Sequence, residues 1–494
     1  MSEKMGLSKS KYCKGLQCPK ILWLEKYKPE EAEDTASESV LANGTKVGEL
    51  ARDYFGGHEL VEFSFDKEAM VTRTKELMDA GTDVIAEASF LTDGLYCAVD
   101  LLRKNGDGWD IIEVKSSTKV SDIYIEDMAF QNYVLSKCGV NVKNIHIMYI
   151  NNQYVRHGDL NLRELFVTEE YTDLCKMKVD EVAAHIEEIR AYMDTDDEPV
   201  KDLDVCCEDP YPCAFWHYCG KHVPEQSIFS IARLKKTTKY KYYKQGIITY
   251  HDIVDVKPKL NATQYRQVET AVNHLPDSID RDAIRSFLDT LSYPIYHLDF
   301  ETFQQAVPEF EGAKPYQQIT FQYSLHIEHE DGTLEHKEFL GKEGTDPRRA
   351  LAEQLVNDIP IDVCSLAYNM SFEKGRLKEL AETYPDLAEH LTNISDNMHD
   401  LMIPFQKQHY YTEAMQGSYS IKYVLPALCP NDPELDYHNL NEVHNGTEAS
   451  FAFADMPNHT PEEVAMTRAN LLKYCGLDTY AMVKVLAKLR EVIG

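Results

Sequence analysis

The 494-residue chain lacks any apolar run approaching the roughly 20 residues that span a bilayer. No membrane partner is therefore expected. Its first ten residues, Met1 to Ser10, place no apolar stretch behind their lysines, so a secretory signal is not expected and the cytoplasm is the expected location. Positive charge is also scarce: 51 Lys and Arg stand against 82 Asp and Glu, a net charge of -31. Such a balance repels a polyanion at long range unless basic groups gather locally. That exclusion is partial, because acids spent on metal sites or on solvated stretches such as Glu30 to Glu38 and Asp194 to Glu198 count fully in the total. Internal repeats are missing. Among the clustered Cys207, Cys213 and Cys219, each separated by five residues, no pair has the two to four intervening residues of a structural zinc knuckle.

What is present reads as globular. Hydrophobic residues make up 43% and charged residues 27% of the chain, which excludes a disordered or fibrous protein. At this length two or three domains are expected. Residues 1 to about 222 open and close on cysteine-containing segments, residues 223 to about 290 read as a helical, partly basic connector, and a new strand opens the remainder, 291–494.

Within 84–116 three segments read as consecutive strands: Val84 to Phe90, Tyr96 to Leu102 and Trp109 to Lys115. Strand side chains alternate, so Glu113 and Lys115 share a face, while Asp100 and Glu87 come from the two preceding strands. Three carboxylates converging there would suit a hard divalent cation. For an isolated Glu-Val-Lys a surface salt bridge is the ordinary reading. The arrangement as a whole, Asp100, twelve residues, Glu113-Val114-Lys115, then a helix carrying Gln131, resembles the PD-(D/E)xK nuclease core in its RecB-like form. The resemblance implies that Asp100 and Glu113 bind metal, that Lys115 is catalytic, and that Gln131 is the glutamine of the following helix. Glu87 is a further candidate ligand from strand order. Two positions depart from the pattern: Gly44 to Glu49 has no histidine where the family often has a metal ligand, and Leu135 stands in place of a tyrosine.

The twelve cysteines are unevenly spaced. Cys97, Cys138, Cys175, Cys364, Cys429 and Cys475 stand singly among apolar neighbours and read as buried reduced thiols. Cys206, Cys207, Cys213 and Cys219 fall within fourteen residues and ask for a metal. Together with Cys18-Pro19-Lys20 they resemble the CRISPR-associated and AddB-type RecB nucleases, which implies a [4Fe-4S] cluster on Cys18, Cys207, Cys213 and Cys219. Zinc and plain buried thiols are the other readings, and Cys206 and Cys13 are adjacent alternative ligands. Such a cluster would act as a structural staple between distant parts of the chain.

In His297-Leu298-Asp299-Phe300-Glu301-Thr302 two acids stand two apart on a strand, hence on one face, with Leu298 and Phe300 toward the core. Tyr474 and Asp478 lie four apart in a helical pattern and so share a helix face. Between them Asn369 to Glu373 begins another helix, with Glu373 as a further acid and Asp400 as its alternative. Each fragment is weak alone. In this order they resemble the DnaQ-like (DEDD) 3'-5' exonucleases of the tyrosine subtype. That implies Asp299, Glu301, Glu373 and Asp478 as ligands of two Mg2+ or Mn2+ ions and Tyr474 as the residue orienting the attacking water. The family usually has aspartate where Glu373 stands.

Arg233 to Lys244 is the most basic stretch, with tyrosines among its lysines. Lys235, Lys236, Lys239, Tyr240 and Lys241 either contact a single strand or form an amphipathic helix with lysines in water and tyrosines packed. Over nearly its full length, including Ile150 to Gly158 and Gly417 to Lys422, the chain resembles a prokaryotic family that joins a RecB-like iron-sulfur nuclease to a DnaQ-like exonuclease. The expected fold is α/β: a restriction-endonuclease-like domain and an RNase H-like domain joined by the connector. The expected activity is metal-dependent hydrolysis of DNA at single strands or ends. RNA as substrate, or a nucleic-acid-binding scaffold with lapsed sites, are the rival readings, and oligomeric state is left open.

Overall fold

Alternating apolar residues build a separate sheet in each of two units. The computed structural model describes residues 6–35, 38–430, 432–435 and 443–494. Unit 1 comprises Met1–His222 with Gln305–Gln317, and unit 2 comprises Val223–Gln304 with Gln318–Gly494. The fold is α/β with mixed sheets. Among the described residues no helix is long and apolar enough to cross a membrane.

The sheet of unit 1 contains β1 (Leu7–Ser8), β2 (Glu59–Leu60), β3 (Val84–Thr92), β4 (Leu95–Asn105), β5 (Gly108–Lys115), β6 (Val142–Ile150) and β7 (Phe166–Glu170). Their order is β2-β3-β4-β5-β6-β7, with β1 running parallel to the start of β4. The strands expected between residues 84 and 116 form an antiparallel meander, β3-β4-β5. Asp93 and Gly94, with φ of 49° and 75°, make its first tight turn. From β5 the chain crosses over to the parallel strand β6 through the helix Asp122–Lys137, since parallel neighbours need a long connection. Met128, Phe130, Val134 and Leu135 of that helix share a core with Ile85, Val99, Leu102 and Ile111 of the sheet. The short strand β1 leads straight into the helix Lys9–Gln17, capped by Ser8, whose Oγ accepts from the Lys11 amide. Tyr12 of that helix stacks on Phe130, ring centroids 4.7 Å apart.

Residues 305–317 join unit 1 by burying Ala306 and Val307 beside Val47 and Ala51. Tyr316 also donates a hydrogen bond to the Ser116 carbonyl. No sequence pattern announces this return.

Unit 2 contains β8 (Ser278–Ile279), β9 (Ile295–Phe303), β10 (Ile319–Glu328), β11 (Leu334–Leu340), β12 (Cys364–Ala367), β13 (Met398–Asp400) and β14 (Tyr410–Tyr411). Its main sheet runs β11-β10-β9-β12-β13, antiparallel across the first three strands and parallel across the last. Strand β9 is therefore central. The 31-residue helix Pro461–Glu491, opened by a capping box between Thr460 and Glu463, packs against β9 and β10.

The 223–290 stretch is mainly helical, with the short strand β8, and groups with unit 2. Its basic segment folds as the helix Lys236–Tyr243. Tyr240, Tyr242 and Tyr243 are buried, and Lys239 donates to the Phe229 carbonyl. Of the two readings left open for this stretch, burial of the Tyr240 ring fits the amphipathic helix with packed tyrosines, and that ring is not presented for stacking. Lys235, Lys236 and Lys241 remain on the surface.

Candidate functional site

Among the described residues, the side chains singled out in the sequence gather in two acidic groups and one of thiols. In unit 1, Glu113 is enclosed because β5 is buried through most of its length. Its neighbours arrive from four elements. Lys115 Nζ, from the same strand, lies 2.6 Å from Glu113 Oε1, and Gln131 Nε2, from the crossover helix, lies 2.6 Å from Glu113 Oε2. Asp127, one turn before Gln131, accepts from Gln131 at 3.0 Å and from Lys115 at 3.1 Å. Asp100, from β4, accepts from the Val114 amide at 2.7 Å. Lys9, at the start of its helix, stands 3.0 and 3.1 Å from the two oxygens of Glu113, 3.7 Å from Asp100 and 3.9 Å from Asp127.

Burial opposes ionisation of Glu113, but the ammonium groups of Lys115 and Lys9 outweigh it and hold its carboxyl below the usual range. Burial and the Glu113 charge push Asp100 up to about 7 and raise Asp127 as well. The structure thus brings together Asp100, Glu113, Lys115 and Gln131, and adds Asp127 and Lys9. The i,i+4 spacing from Gln131 was a usable signal for Asp127. Lys9, 104 residues from Glu113, had none. Glu87 lies between the ladder pairs Ala86–Leu101 and Ala88–Val99, so opposite Asp100, with φ of 57°. A non-glycine residue in that region is uncommon in a strand. Its carboxylate pairs with Arg52 at 3.4 Å, which places it at the rim of the group.

The thiols of Cys18, Cys207, Cys213 and Cys219 line one small cavity with Phe215 and Leu24. The peptide around it is already held: Gln17 Nε2 donates to the carbonyls of Cys206 and Tyr211, both at 2.7 Å, and Lys20 pairs with Glu198 at 2.8 Å. Cys206 hydrogen-bonds both Cys18 and Cys207, and these bonds raise the Cys18 thiol and lower that of Cys207. Burial pushes Cys213 up to about 11. Among the described residues no three of these sulfurs lie within 4.8 Å of one another. Tetrahedral zinc at 2.3 Å from each sulfur would draw them to about 3.8 Å. Cys13 faces elsewhere: burial raises its thiol, and its charged neighbours are Asp127, Lys115, Lys9 and Glu113.

In unit 2, Asp299 and Glu301 project from the sheet face opposite to buried Leu298 and Phe300. Asp478 comes from the C-terminal helix, one turn after buried Tyr474. Asp299, Glu301 and Asp478 each place a carboxylate oxygen within 4.8 Å of the others. Glu373, in the first turn of the helix Ser371–Thr383, is 2% exposed, and its Oε2 has no hydrogen-bond partner. An orphaned buried carboxylate oxygen beside three other acids is the donor set a divalent cation completes. Asp400 differs, because its Oδ1 accepts from the amides of Asn369 and Met402, both at 2.9 Å. Burial, then Asp478 and Glu301, raise Asp299; burial, then Asp478 and Glu373, raise Glu301; burial, with Asp400, pushes Glu373 up to about 8. Lys422, in the helix Ile421–Leu428, is a nearby positive charge that favours ionised Glu301.

These shifts carry a sign. Carboxyl groups raised in the folded state hold protons that the unfolded chain releases, so their contribution to stability is full below the unfolded pKa and is lost as pH rises toward about 8. Without divalent ions the protein should melt lower at pH 8 than at pH 5. Glu373→Gln should flatten that fall, with a gain on the order of 5 °C at pH 8. Thermal melts in chelator check this; identical profiles for the two proteins would contradict it.

Fold and geometry together define an α/β protein with two enclosed acidic clusters and one group of converging thiols. Residues 296–420 match a family model described as Domain of unknown function (DUF2779). That stretch carries Asp299, Glu301, Glu373 and Asp400 and stops before Tyr474 and Asp478. The chain is also similar to the uncharacterized protein UU173 of Ureaplasma parvum serovar 3, 28% identical over 234 residues, which is 43% of this chain and 33% of the relative. It thus spans about a third of the length of the curated relative it matches.

Proposed function

We propose that the protein is a metal-dependent nuclease in which unit 2 is a DnaQ-like 3'-5' exonuclease of DNA and unit 1 a RecB-like PD-(D/E)xK nuclease with an iron-sulfur cluster. The observation that carries the reading is the convergence of Asp299, Glu301 and Asp478 with buried Glu373, whose Oε2 is orphaned. These four residues would hold two Mg2+ or Mn2+ ions, which supply Lewis acidity toward the scissile phosphoryl group. Asp299, on the central strand, sets the spacing of the acids. Tyr474, one turn before Asp478 on the same helix, would orient the attacking water. Lys422 adds positive charge that draws a phosphate toward an otherwise acidic face. In unit 1, Asp100, Glu113 and Asp127 are the carboxylates and Lys115 the group that offsets charge building on phosphate. Cys18, Cys207, Cys213 and Cys219 would hold a [4Fe-4S] cluster, in keeping with the reduced thiols expected of a cytoplasmic protein.

Single- and double-stranded DNA and RNA labelled at either end, incubated with Mg2+ or Mn2+, test this. The expected result is stepwise release of mononucleotides from the 3' end of DNA. Equal action on RNA would move the substrate. Absence of cleavage under every metal and substrate would contradict the reading.

A further inference from the structure

The acidic group of unit 1 already contains a cation. Both oxygens of Glu113 carry two donors each: Oε1 faces Lys9 at 3.1 Å and Lys115 at 2.6 Å, and Oε2 faces Lys9 at 3.0 Å and Gln131 at 2.6 Å. Both oxygens of Asp127 are likewise engaged, by Gln131 and Lys115. Asp100 gives Oδ2 to the Val114 amide, and its Oδ1 has Lys9 at 3.7 Å. A divalent ion bridging Asp100 and Glu113 would need the volume that the Lys9 ammonium fills. Lys115 and Gln131, in contrast, approach from the side of Asp127.

Lys9 is also held in place by its backbone. Its helix begins directly after β1, whose Leu7 and Ser8 pair in register with Leu95 and Tyr96 of β4. At its other end the helix runs into Cys18, in the wall of the thiol cavity. Tyr12 between them is fully buried on Phe130. The ammonium is therefore aimed at the acids by a segment fixed at both ends. The segment Gly44 to Glu49, where a histidine ligand was sought, offers none.

We propose that Lys9 is the resident cation of this group, and that a divalent ion reaches Asp100 and Glu113 only by displacing the Lys9 side chain. The inference rests on the reading of Asp100 and Glu113 as metal ligands. Together with Lys115, Lys9 supplies the positive charge that a metal would otherwise bring to these carboxylates. Unit 1 is then a low-affinity metal site whose occupancy is set by competition with its own lysine.

The test measures Mn2+ binding by paramagnetic resonance and the rise in melting temperature that Mn2+ produces. It uses full-length protein carrying Asp299→Ala, so that the acids of unit 2 do not dominate. In that background Lys9→Met should bind Mn2+ about tenfold more tightly or better, because the competitor is gone. It should also gain more thermal stability from the ion than the parent does, since metal replaces the lost charge. Lys9→Arg should return binding to the parent level. The melting comparison remains informative if Lys9→Met is destabilised, because the ion would rescue it. Equal Mn2+ affinity in the parent and Lys9→Met, abolished in both by Glu113→Gln, would overturn the competition while leaving the metal site standing. Failure of both proteins to bind at millimolar Mn2+ would overturn it together with the metal reading of unit 1.

Discussion

Asp299→Ala is expected to lower 3'-end mononucleotide release by about 10³-fold or more, more than any other single change in unit 2. Asp299 stands on the central strand between buried Leu298 and Phe300, so its carboxylate has little freedom to be replaced by a neighbour. It is also the acid that faces both Glu301 and Asp478, and its loss changes the spacing of the whole donor set. Tyr474→Phe removes a hydroxyl and keeps all four charges, so a fall of about 10- to 100-fold is expected. Asp299→Ala is expected to fold, because it removes a repelled carboxylate from a crowded group. Turnover of Asp299→Ala at the wild-type rate would remove unit 2 from the chemistry.

Serine at Cys18, Cys207, Cys213 or Cys219 is expected to strip iron and lower the stability of unit 1 together. Protein prepared without oxygen should be brown and carry about four irons per chain. Linking Cys18 to Cys207 closes a loop of nearly 190 residues, worth about 5 kcal/mol on a chain-entropy model of cross-linking. The observed loss should be smaller, because Gln17 already ties the Cys206 and Tyr211 carbonyls to the same helix. Cys206→Ser and Cys13→Ser should keep the colour: Cys206 does not line the cavity, and Cys13 faces the acids. Iron analysis and visible spectra of the six variants decide this. Colourless wild-type protein with one zinc per chain would contradict the assignment.

What could be read from sequence was local and periodic. Alternation placed Asp299 and Glu301 on one strand face, and the four-residue step placed Tyr474 and Asp478 on one helix face. The three strands between 84 and 116 were legible for the same reason. Lys9 was not, because its position depends on a two-residue strand pairing with residues almost ninety positions away. The tyrosines of the basic helix illustrate an ambiguity that sequence leaves open. Interleaved Lys and Tyr match a strand-binding surface and an amphipathic helix equally well in one dimension, and only packing decides that Tyr240, Tyr242 and Tyr243 are core. Strand order put Glu87 opposite Asp100, as the ladder has it, but its φ of 57° was not legible in the alternation.

The central claim is that the four acids of unit 2 form a divalent-metal centre, and counting bound Mn2+ tests it most directly. In a Glu113→Gln background, which removes the unit 1 carboxylate most enclosed by cations, equilibrium titration followed by paramagnetic resonance should find two Mn2+ ions per chain close enough to couple magnetically. Adding Asp299→Ala should abolish the coupled signal. A titration in which the Glu113→Gln protein binds no Mn2+, or binds it equally well with Asp299 replaced, would contradict the account.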